Sequence, residues 1–240
     1  MVYAISDLHG YPPERLQALL RLARFGQDDF LYVLGDVIDR SGDGGVGVLR
    51  WLTVQPNAQL LLGNHEAMLL ACSFLFEEVT ADSLAALTAE HMAVLDTWRE
   101  NGGDVTIRAL QRLDRETIAD LLDYLRDAPL YDLVTAGGRD FLLVHAGLEH
   151  FRPDRRLSDY SSDELLWAWP ALTDRYFDDI RTVFGHTPTG SFDPAFEGRV
   201  LHTDTWTCID CGAGHGNEPV LLRLDDMAEF RLEKGEADGK

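Results

Sequence analysis

Five short clusters of Asp, His and Asn directly follow apolar stretches of this 240-residue sequence. Carboxylate, imidazole and carboxamide groups together form a hard-to-borderline ligand set, which suits Mn²⁺, Fe or Zn²⁺. Their number is sufficient for two ions, and two metals ~3.5–4 Å apart can hold both oxygens of an in-line phosphoryl displacement. The clusters are Asp7-Leu8-His9-Gly10, Gly35-Asp36-Val37-Ile38-Asp39-Arg40, Gly63-Asn64-His65-Glu66, His145-Ala146-Gly147 and Gly185-His186-Thr187-Pro188.

Each cluster also has a structural explanation when it is taken alone. A single Asp or His after a strand is more often a helix N-cap or a turn residue, and Asp7 alone fits that description. Gly63 and Gly185 are compatible with tight turns under either interpretation. Five such clusters together would bury many polar groups for no purpose, which is costly. The combination therefore favours a shared functional site.

Alternating strand and helix signals are expected to position these clusters. Residues 13–25 carry Leu at helical spacing, and further helices are predicted over 46–53 and from His65. Short strands that alternate with helices predict an α/β fold, in which ligands gather at the carboxyl ends of the strands. The predicted strands are 2–6, 30–34, 58–62, 130–135, 141–144, 182–184, 200–203, 207–210, 219–224 and 228–232.

The middle of the chain differs from both ends. Residues 67–128 contain long amphipathic stretches and few strand signals, so we expect a helical cap or insertion there. No composition shift or linker divides the sequence. The prediction is a single domain over residues 1–240, built from layered sheets with helices outside and one added helical segment.

Composition excludes several classes of function. Asp and Glu number 41 against 21 Lys and Arg, which gives a formal net charge of −20. So acidic a chain is a poor candidate for binding nucleic acid or an anionic membrane. Three cysteines provide no disulfide framework and fit a reducing cytoplasm, and neither a signal peptide nor a membrane span is visible. We expect a cytoplasmic protein, and the sequence leaves its oligomeric state open.

A glycine-rich motif, Gly42-x-Gly44-x-x-Gly47, matches the dinucleotide-binding fingerprint. It does not follow a predicted strand directly, because residues 36–41 intervene. The position twenty residues after Gly47 is Ala67, although Glu66 lies beside it. We interpret the motif as a flexible loop.

Cys208-x-x-Cys211, near His202 and His215, resembles a zinc or redox motif. Cys208 falls in a predicted strand, however, and no second C-x-x-C exists to complete a four-ligand zinc site. A structural role for these cysteines is therefore favoured.

The ordered motifs D-x-H-G, G-D-x-x-D-R, G-N-H-E, H-A-G and G-H resemble those of the phosphoprotein phosphatase family of calcineurin-like metallophosphoesterases. The segment Trp98–Gly103 also resembles a W-x-x-N-G-G motif of its small bacterial and phage members. The motifs run from Asp7 to His186 and so span most of the chain. The resemblance implies a metallophosphoesterase-type β-sandwich of mixed sheets flanked by helices.

The resemblance also implies roles for individual residues. A hydroxide held between two divalent metals, Mn²⁺ or alternatively Fe, Zn²⁺ or Mg²⁺, would attack phosphorus. His65 would protonate the leaving oxygen, Asp39 would orient that imidazole, and Arg40 would bind the phosphoryl oxygens. Asp7 and His9 would bind the first metal, Asp36 would bridge, and Asn64, His145 and His186 would bind the second.

The sequence departs from the family pattern at four positions. Ser6 and Ser41 each stand where glycine is usual, which is a small change. Leu62 and Trp169 stand where protein phosphatases carry phosphate-binding arginines, in R-G-N-H-E and L-L-W-x-R. Losing both would cost several kcal/mol of phosphate binding, at ~1.5–3 kcal/mol for each charged hydrogen bond. Candidates to compensate are Arg152, Arg155, Arg156 and Arg175.

Three functions follow from these features. The leading hypothesis is a phosphomonoesterase for phosphoproteins, on Ser/Thr and with Tyr as a further option, because Glu66 and Asp39 are both present. The alternative is a symmetrical diadenosine tetraphosphatase, a type that also lacks arginine at the position of Leu62. That type usually reads G-N-H-D, however, and lacks the carboxylate corresponding to Asp39. A hypothesis of another class is a metal-bound, catalytically weak binding protein, although the His65–Asp39 pair opposes it. The expected partner is a phosphorylated protein or a small phosphate ester.

Overall fold

The computed structural model describes residues 1–78, 80–81 and 85–233, and within them the chain forms two five-stranded sheets. All ten predicted strands are confirmed, most of them one or two residues shorter than expected. The strands are β1 (Val2–Ile5), β2 (Phe30–Val33), β3 (Ala58–Leu60), β4 (Tyr131–Ala136), β5 (Arg139–Val144), β6 (Ile180–Phe184), β7 (Leu201–His202), β8 (Trp206–Cys208), β9 (Leu221–Arg223) and β10 (Ala228–Phe230).

Both sheets are mixed, with three parallel strands in each. The first has the order β10-β9-β1-β2-β3, and β1, β2 and β3 run parallel. The second has the order β4-β5-β6-β8-β7, and β5, β6 and β8 run parallel. The remaining strands pair antiparallel at the edges. Within each sheet, the carboxyl ends of the three parallel strands therefore lie at the same edge.

The core lies in three layers. Side chains that alternate along each strand contribute to the layers on its two faces. In β1, Ala4 packs between the two sheets, whereas Tyr3 and Ile5 pack on the outer face of the first sheet. In β5, Phe141 and Leu143 point between the sheets. Their neighbours Leu142 and Val144 join a third cluster on the outer face of the second sheet. Alternate side chains of one strand point to opposite faces, so each sheet buries apolar residues on both sides.

Helices cover the outer faces of the sheets. No helix in the described part of the chain has the length and apolarity needed to cross a bilayer. The helices are α1 (Pro13–Leu22), α2 (Val46–Leu52), α3 (Asn64–Ala71), α4 (Ala89–Glu100), α5 (Asp104–Leu110), α6 (Arg115–Arg126), α7 (Ser162–Leu166) and α8 (Thr189–Phe192).

The predicted helical segment, residues 67–128, contains helices joined by short turns and no strand within its described part, and residues 79 and 82–84 lie outside that part. Its apolar residues do not form a core of their own. Trp98 of α4, Leu110 of α5 and Leu125 of α6 belong to the same buried cluster as Ile5 of β1 and Leu16 of α1. The segment therefore packs as part of the helical layer on the first sheet.

Candidate metal centre

The loops after five parallel strands bring the five polar clusters to one edge of the sandwich. Backbone hydrogen bonds join them there. The amide of Asp7 donates to the carbonyl of Gly35 at 3.1 Å, and the amide of Gly185 donates to the carbonyl of His145 at 2.7 Å. The side chains of Asp7, His9, Asp36, Asp39, Asn64, His65 and His145 are buried, and Arg40 and His186 are partly buried.

The backbone of this edge is strained. Six of the nine non-glycine residues with positive φ in the described chain are predicted site residues. Such residues cost of order 1–3 kcal/mol each and cluster where function requires a fixed geometry. These residues are Asp7 (52°), His9 (42°), Asp36 (53°), Asp39 (78°), Arg40 (65°) and His186 (64°).

Gly35 allows two of the loops to approach each other. Its φ is +85°, and a Cβ at this position would lie 2.5 Å from Cα of Gly63 and 2.7 Å from Nδ1 of His145. Any larger residue would push the loop after β3 and the His145 ring away from Asp36. The glycine is therefore required by the packing of the site as well as by its backbone conformation.

The carboxylate of Asp36 is shared by two groups of potential metal ligands. Its Oδ2 lies 3.6 Å from Nε2 of His9 and 3.7 Å from Nε2 of His65. Its Oδ1 lies 3.4 Å from Nε2 of His145, and His186 completes the second group. Within each group the ligand atoms lie within 4.8 Å of one another. One carboxylate between two such groups has the arrangement that a binuclear metal site requires.

The tautomers of two imidazoles fit a bound cation. Nδ1 of His145 lies 2.7 Å from the carbonyl oxygen of Leu34, and Nδ1 of His9 lies 3.0 Å from that of Ile38. A carbonyl oxygen only accepts, so both Nδ1 atoms carry the proton and both Nε2 atoms present lone pairs to Asp36. Lone pairs that converge on a carboxylate repel it unless a cation lies between them.

Burial keeps the metal-binding imidazoles neutral. It lowers the pKa of His9 to about 3, and burial together with the neighbouring His145 lowers the pKa of His186 to about 3. Burial also lowers the pKa of His145. For Asp36, burial favours protonation, but the surrounding imidazoles outweigh it and hold its pKa below the usual range. Neutral imidazoles and an ionised carboxylate are the protonation states that bind divalent metals.

Asn64 adds a further potential ligand to the second group, next to His145 and His186. The carboxamide of Asn64 lies 2.8 Å from Nε2 of His145 and 2.9 Å from Nδ1 of His186. The other ring nitrogen of His186, Nε2, is buried without a hydrogen-bond partner among the described residues. The donor set of carboxylate, carboxamide and imidazole suits a divalent first-row metal, and it does not single out Mn²⁺.

Asp7 lies beside these groups but outside both of them. Its carboxylate accepts hydrogen bonds from the Ser6 hydroxyl and from the backbone amide of His186, the latter at 3.0 Å. Burial, Asp210 and Asp36 together raise its pKa well above the usual value. Crowded buried carboxylates of this kind are relieved by cations. Metal binding by Asp7 stays a prediction.

Asp210 belongs to the same edge, and our sequence analysis missed it. It follows β8, the sixth parallel strand, and is 3% exposed. Burial raises its pKa to about 7, and its charge raises that of Asp7. The predicted strand 207–210 places Asp210 at its end, whereas β8 ends at Cys208 and leaves Asp210 in the loop that follows.

His65 and Asp39 form a buried pair next to the metal-binding groups. Nδ1 of His65 donates to Oδ2 of Asp39 at 2.6 Å, which leaves Nε2 facing Asp36 and Arg40. Burial opposes the charged imidazole, but Asp36 and Asp39 outweigh it and raise the pKa of His65. Trp98 donates to Oδ2 of Asp39 at 2.7 Å, and Thr106 donates to Oδ1 at 2.5 Å. Two side chains of the helical segment therefore fix the partner of the predicted general acid.

Arg40 extends over this pair towards a second histidine. Its guanidinium lies 3.4 Å from Nε2 of His65 and 3.4 Å from Nε2 of His215. The loop that carries His215 lies close above His9, because a Cβ on Gly214 would be 2.5 Å from the His9 ring. The sequence suggested His215 only as a neighbour of the cysteine motif, whereas the structure places it beside Arg40.

The four candidates to replace the missing arginines are paired with carboxylates. Arg152 pairs with Asp154 at 2.8 Å and Arg155 with Glu164 at 2.7 Å. The other two pairs are Arg156 with Asp159 and Arg175 with Asp178 and Asp204. These partners account for the four guanidiniums without any contact to the metal-binding residues.

Glu66 has a structural role beneath the site. Its buried carboxylate accepts hydrogen bonds from four backbone amides, at 2.8 to 3.2 Å. Burial and the charge of Asp36 raise its pKa to about 7, and the amides oppose that shift. Glu66 thereby ties the loop after β2 to the start of α3. The donors are Asp36, Val37, Ile38 and Gly63.

Replacing Glu66 by alanine is expected to lower the melting temperature by ~6–12 °C. Buried amides left without an acceptor cost ~1–3 kcal/mol each, and a loss of ~3 kcal/mol corresponds to this shift in a chain of this size. Differential scanning calorimetry measures it, with the exposed Glu100→Ala substitution as the control. A change below 2 °C in Glu66→Ala would contradict the structural role.

The glycine-rich motif and the cysteine motif both lie in packed parts of the structure. Gly44 and Gly45 form a turn with positive φ before α2, and a Cβ on Gly44 would meet the backbone of Thr106. Cys208 and Cys211 are buried free thiols whose pKa values are raised by burial. Neither cysteine lies in a group of potential metal ligands within the described residues.

Comparison with known sequences provides a family. Residues 1–215 match the calcineurin-like phosphoesterases. Curated relatives include the symmetrical bis(5'-nucleosyl)-tetraphosphatases of Actinobacillus succinogenes, 36% identical over 149 residues, and of Acidovorax sp. strain JS42, 29% identical over 147 residues. Each alignment covers 61% of this chain and 44% of the relative. The chain thus spans less than half the length of these relatives.

Solved structures share the fold. A provisionally assigned diadenosine tetraphosphatase superposes with a TM-score of 0.62 at 19% identity, covering 96% of this chain and 92% of that one. A serine/threonine phosphatase from Saccharomyces cerevisiae superposes with a TM-score of 0.58 at 16% identity, covering 97% and 80%. At these identities the likeness concerns the fold alone, which is the α/β metallophosphoesterase sandwich expected from the sequence.

Proposed function

This chain belongs to the calcineurin-like phosphoesterase family, and we propose that it hydrolyses dinucleoside tetraphosphates symmetrically into two nucleoside diphosphates. Family membership and the buried His/Asp groups make it a metal-dependent phosphoesterase. The observation that carries the choice of substrate is the presence of Trp169 at the rim of the site. Trp169 lies there, beside His186, where protein phosphatases would carry an arginine.

The curated relatives support this choice in part. They are symmetrical tetraphosphatases, and they align with 61% of this chain. Leu62 stands where protein phosphatases carry arginine, and symmetrical tetraphosphatases also lack arginine at this position. This departure points the same way. The proposal therefore reverses the order of the two phosphoesterase hypotheses, with phosphoproteins now second.

The residues that favoured a phosphoprotein substrate do not discriminate between the two. Among the described residues, the carboxylate of Glu66 accepts hydrogen bonds from backbone amides beneath the site. Asp39 orients His65, and a general acid serves any phosphoryl leaving group. Dephosphorylation of proteins is kept as the second candidate because an alkoxide, the poorer leaving group, benefits most from that acid.

The side chains of the site would have the following roles in the reaction. Asp36, His9, Asn64, His145 and His186 would hold the metals, with Asp7 as a further predicted ligand. Once bound, the metals would supply positive charge and a water of lowered pKa. Arg40 would bind oxygens of the phosphoryl group under attack. His65 would give its Nε2 proton to the oxygen between the two central phosphorus atoms as that P–O bond breaks. One water is consumed and two nucleoside diphosphates are released.

A substrate panel with Mn²⁺ tests the proposal. Diadenosine tetraphosphate is compared with a phosphoserine peptide, and the products are separated by ion-exchange chromatography. We expect ADP as the sole nucleotide product and a kcat/KM at least 10-fold above that for the peptide. The Asp36→Asn protein, purified in the same way, controls for contaminating phosphatases. A higher kcat/KM on the peptide, or AMP with ATP as products, would refute the proposal.

A further inference from the structure

Two tryptophans border the candidate metal centre at its open side. The ring centroid of Trp169 lies 5.4 Å from that of His186, and the centroid of Trp167 lies 5.9 Å from it. Both indoles stand nearly perpendicular to the imidazole, at 73° and 85°. Trp169 is 66% exposed, an unusual position for so large an apolar surface. The two rings therefore present aromatic surface within a few ångströms of a predicted metal ligand.

Trp169 also forms one wall of a cavity that leads away from the metal centre. The cavity has a volume of about 310 Å³, which is at the small end of the range for ligand sites. Its lining includes Phe151, Pro170 and the buried Tyr176. Tyr176 is held in place, because its hydroxyl accepts a hydrogen bond from the amide of Leu148 at 3.1 Å. One indole thus connects a cavity with three aromatic side chains in its lining to the site of phosphoryl chemistry.

The charges around this cavity disfavour an anionic occupant. Glu149 and Asp174 line it, and the guanidinium of Arg175 is already paired with Asp178 and Asp204. In a chain of net charge −20, such a cavity repels phosphate. Phosphate groups would stay with the metals and Arg40. An uncharged aromatic group attached to those phosphates would reach the cavity with Trp169 at its side.

We infer that Trp169 and the adjoining cavity form a nucleobase subsite, in which the indole stacks on one base of the dinucleoside substrate. The inference rests on the proposed function, because it assigns the base of that substrate to a place. Stacking on an aromatic side chain tolerates any base, so the subsite recognises a nucleoside rather than one particular base. Trp169 then replaces a charged contact to phosphate by an aromatic contact to the base.

Competitive inhibition by ADP and by pyrophosphate tests the inference without requiring turnover of a nucleotide. Both ligands carry a diphosphate, and only ADP carries a base. We expect Trp169→Ala to raise the inhibition constant of ADP ~5–140-fold, which is ~1–3 kcal/mol at 1.4 kcal/mol per factor of ten. The constant for pyrophosphate should change less than 2-fold. Hydrolysis of p-nitrophenyl phosphate by the Mn²⁺-loaded protein provides the readout.

Two further variants make the outcome decisive. Trp169→Phe keeps an aromatic face and should retain most of the ADP affinity, whereas Leu133→Ala removes a 52% exposed apolar residue of strand β4 and should change neither constant. An unchanged constant for ADP in Trp169→Ala, or an equal rise for pyrophosphate, would overturn the subsite. Failure of the proposed function is a different result, namely a wild-type protein that does not cleave diadenosine tetraphosphate.

Discussion

Replacing His65 by asparagine is expected to lower kcat ~10²–10⁴-fold on an alkyl phosphate ester, the loss typical of a missing general acid. The imidazole is within 2.6 Å of Asp39 through Nδ1, and its Nε2 is directed at the space beside Asp36. A proton delivered there matters most when the leaving oxygen is strongly basic. The loss should therefore be much smaller on a nucleoside diphosphate leaving group and on p-nitrophenyl phosphate, because both of these leaving oxygens are weakly basic.

Steady-state rates on the three substrates check this prediction, together with metal analysis of the purified variant. The control is His202→Asn, since His202 is 40% exposed and lies on strand β7, where it faces Glu229. His65 also appears in a group of potential metal ligands with His9 and Asp36. If the variant loses a metal ion, or loses activity equally on all three substrates, His65 is a ligand and the acid role is wrong.

Replacing Asp36 by asparagine is expected to remove at least one metal ion per chain and to lower kcat by more than ~100-fold. Losing a residue that merely supports a metal ligand already costs ~10–100-fold in affinity or activity. Asp36 is shared by both ligand groups, so its charge balances two cations. The carboxamide keeps the shape of the side chain and an acceptor for the His65 amide, which Asp36 now binds at 3.1 Å.

Inductively coupled plasma mass spectrometry and rates on diadenosine tetraphosphate measure the effect. Asp123→Asn, which changes a 71% exposed carboxylate on helix α6, removes the same charge without touching the site. Circular dichroism should show that the Asp36→Asn protein keeps its secondary structure. Two tightly bound metal ions in that variant, with kcat within 3-fold of the wild type, would remove the basis for a shared bridging carboxylate.

The fold was predictable from the sequence because its strands are short and apolar, and the first three alternate with helices. Each of the ten predicted strands exists, and the alternation along β1 and β5 explains why both faces of each sheet are buried. The convergence of the five clusters followed from the same pattern. Parallel strands place their carboxyl ends at one edge, so residues as distant as Asp7 and His186 meet there.

What the sequence did not reveal are contacts between distant segments. Trp98 and Thr106 hold Asp39 from 59 and 67 residues away. The W-x-x-N-G-G motif marked Trp98 without indicating its contact with Asp39, and no motif marked Thr106. His215 meets Arg40 across 175 residues. The G-N-H-E motif shows that Glu66 is present but not which way it points. Its carboxylate turns inward to the backbone, so its role in this structure is to support the site.

The acidity of the chain has a local meaning at the site. Asp7, Asp36 and Asp210 are all buried at the edge that carries the candidate metal-binding imidazoles, and the pKa values of Asp7 and Asp210 are raised. Two divalent ions would invert the sign of this field and attract phosphate to one place only. Acidic residues elsewhere would then keep polyanions from binding in other ways.

Titration of the metal-free protein with Mn²⁺ tests the two-metal account most directly. Hydrolysis of diadenosine tetraphosphate is followed as the ion is added. The protein concentration is kept far above the dissociation constant for Mn²⁺, so that the added ion is bound stoichiometrically. The account predicts no turnover without metal and a rate that rises until two equivalents per chain are bound. Full turnover in the metal-free protein, or a plateau at one equivalent, would contradict it.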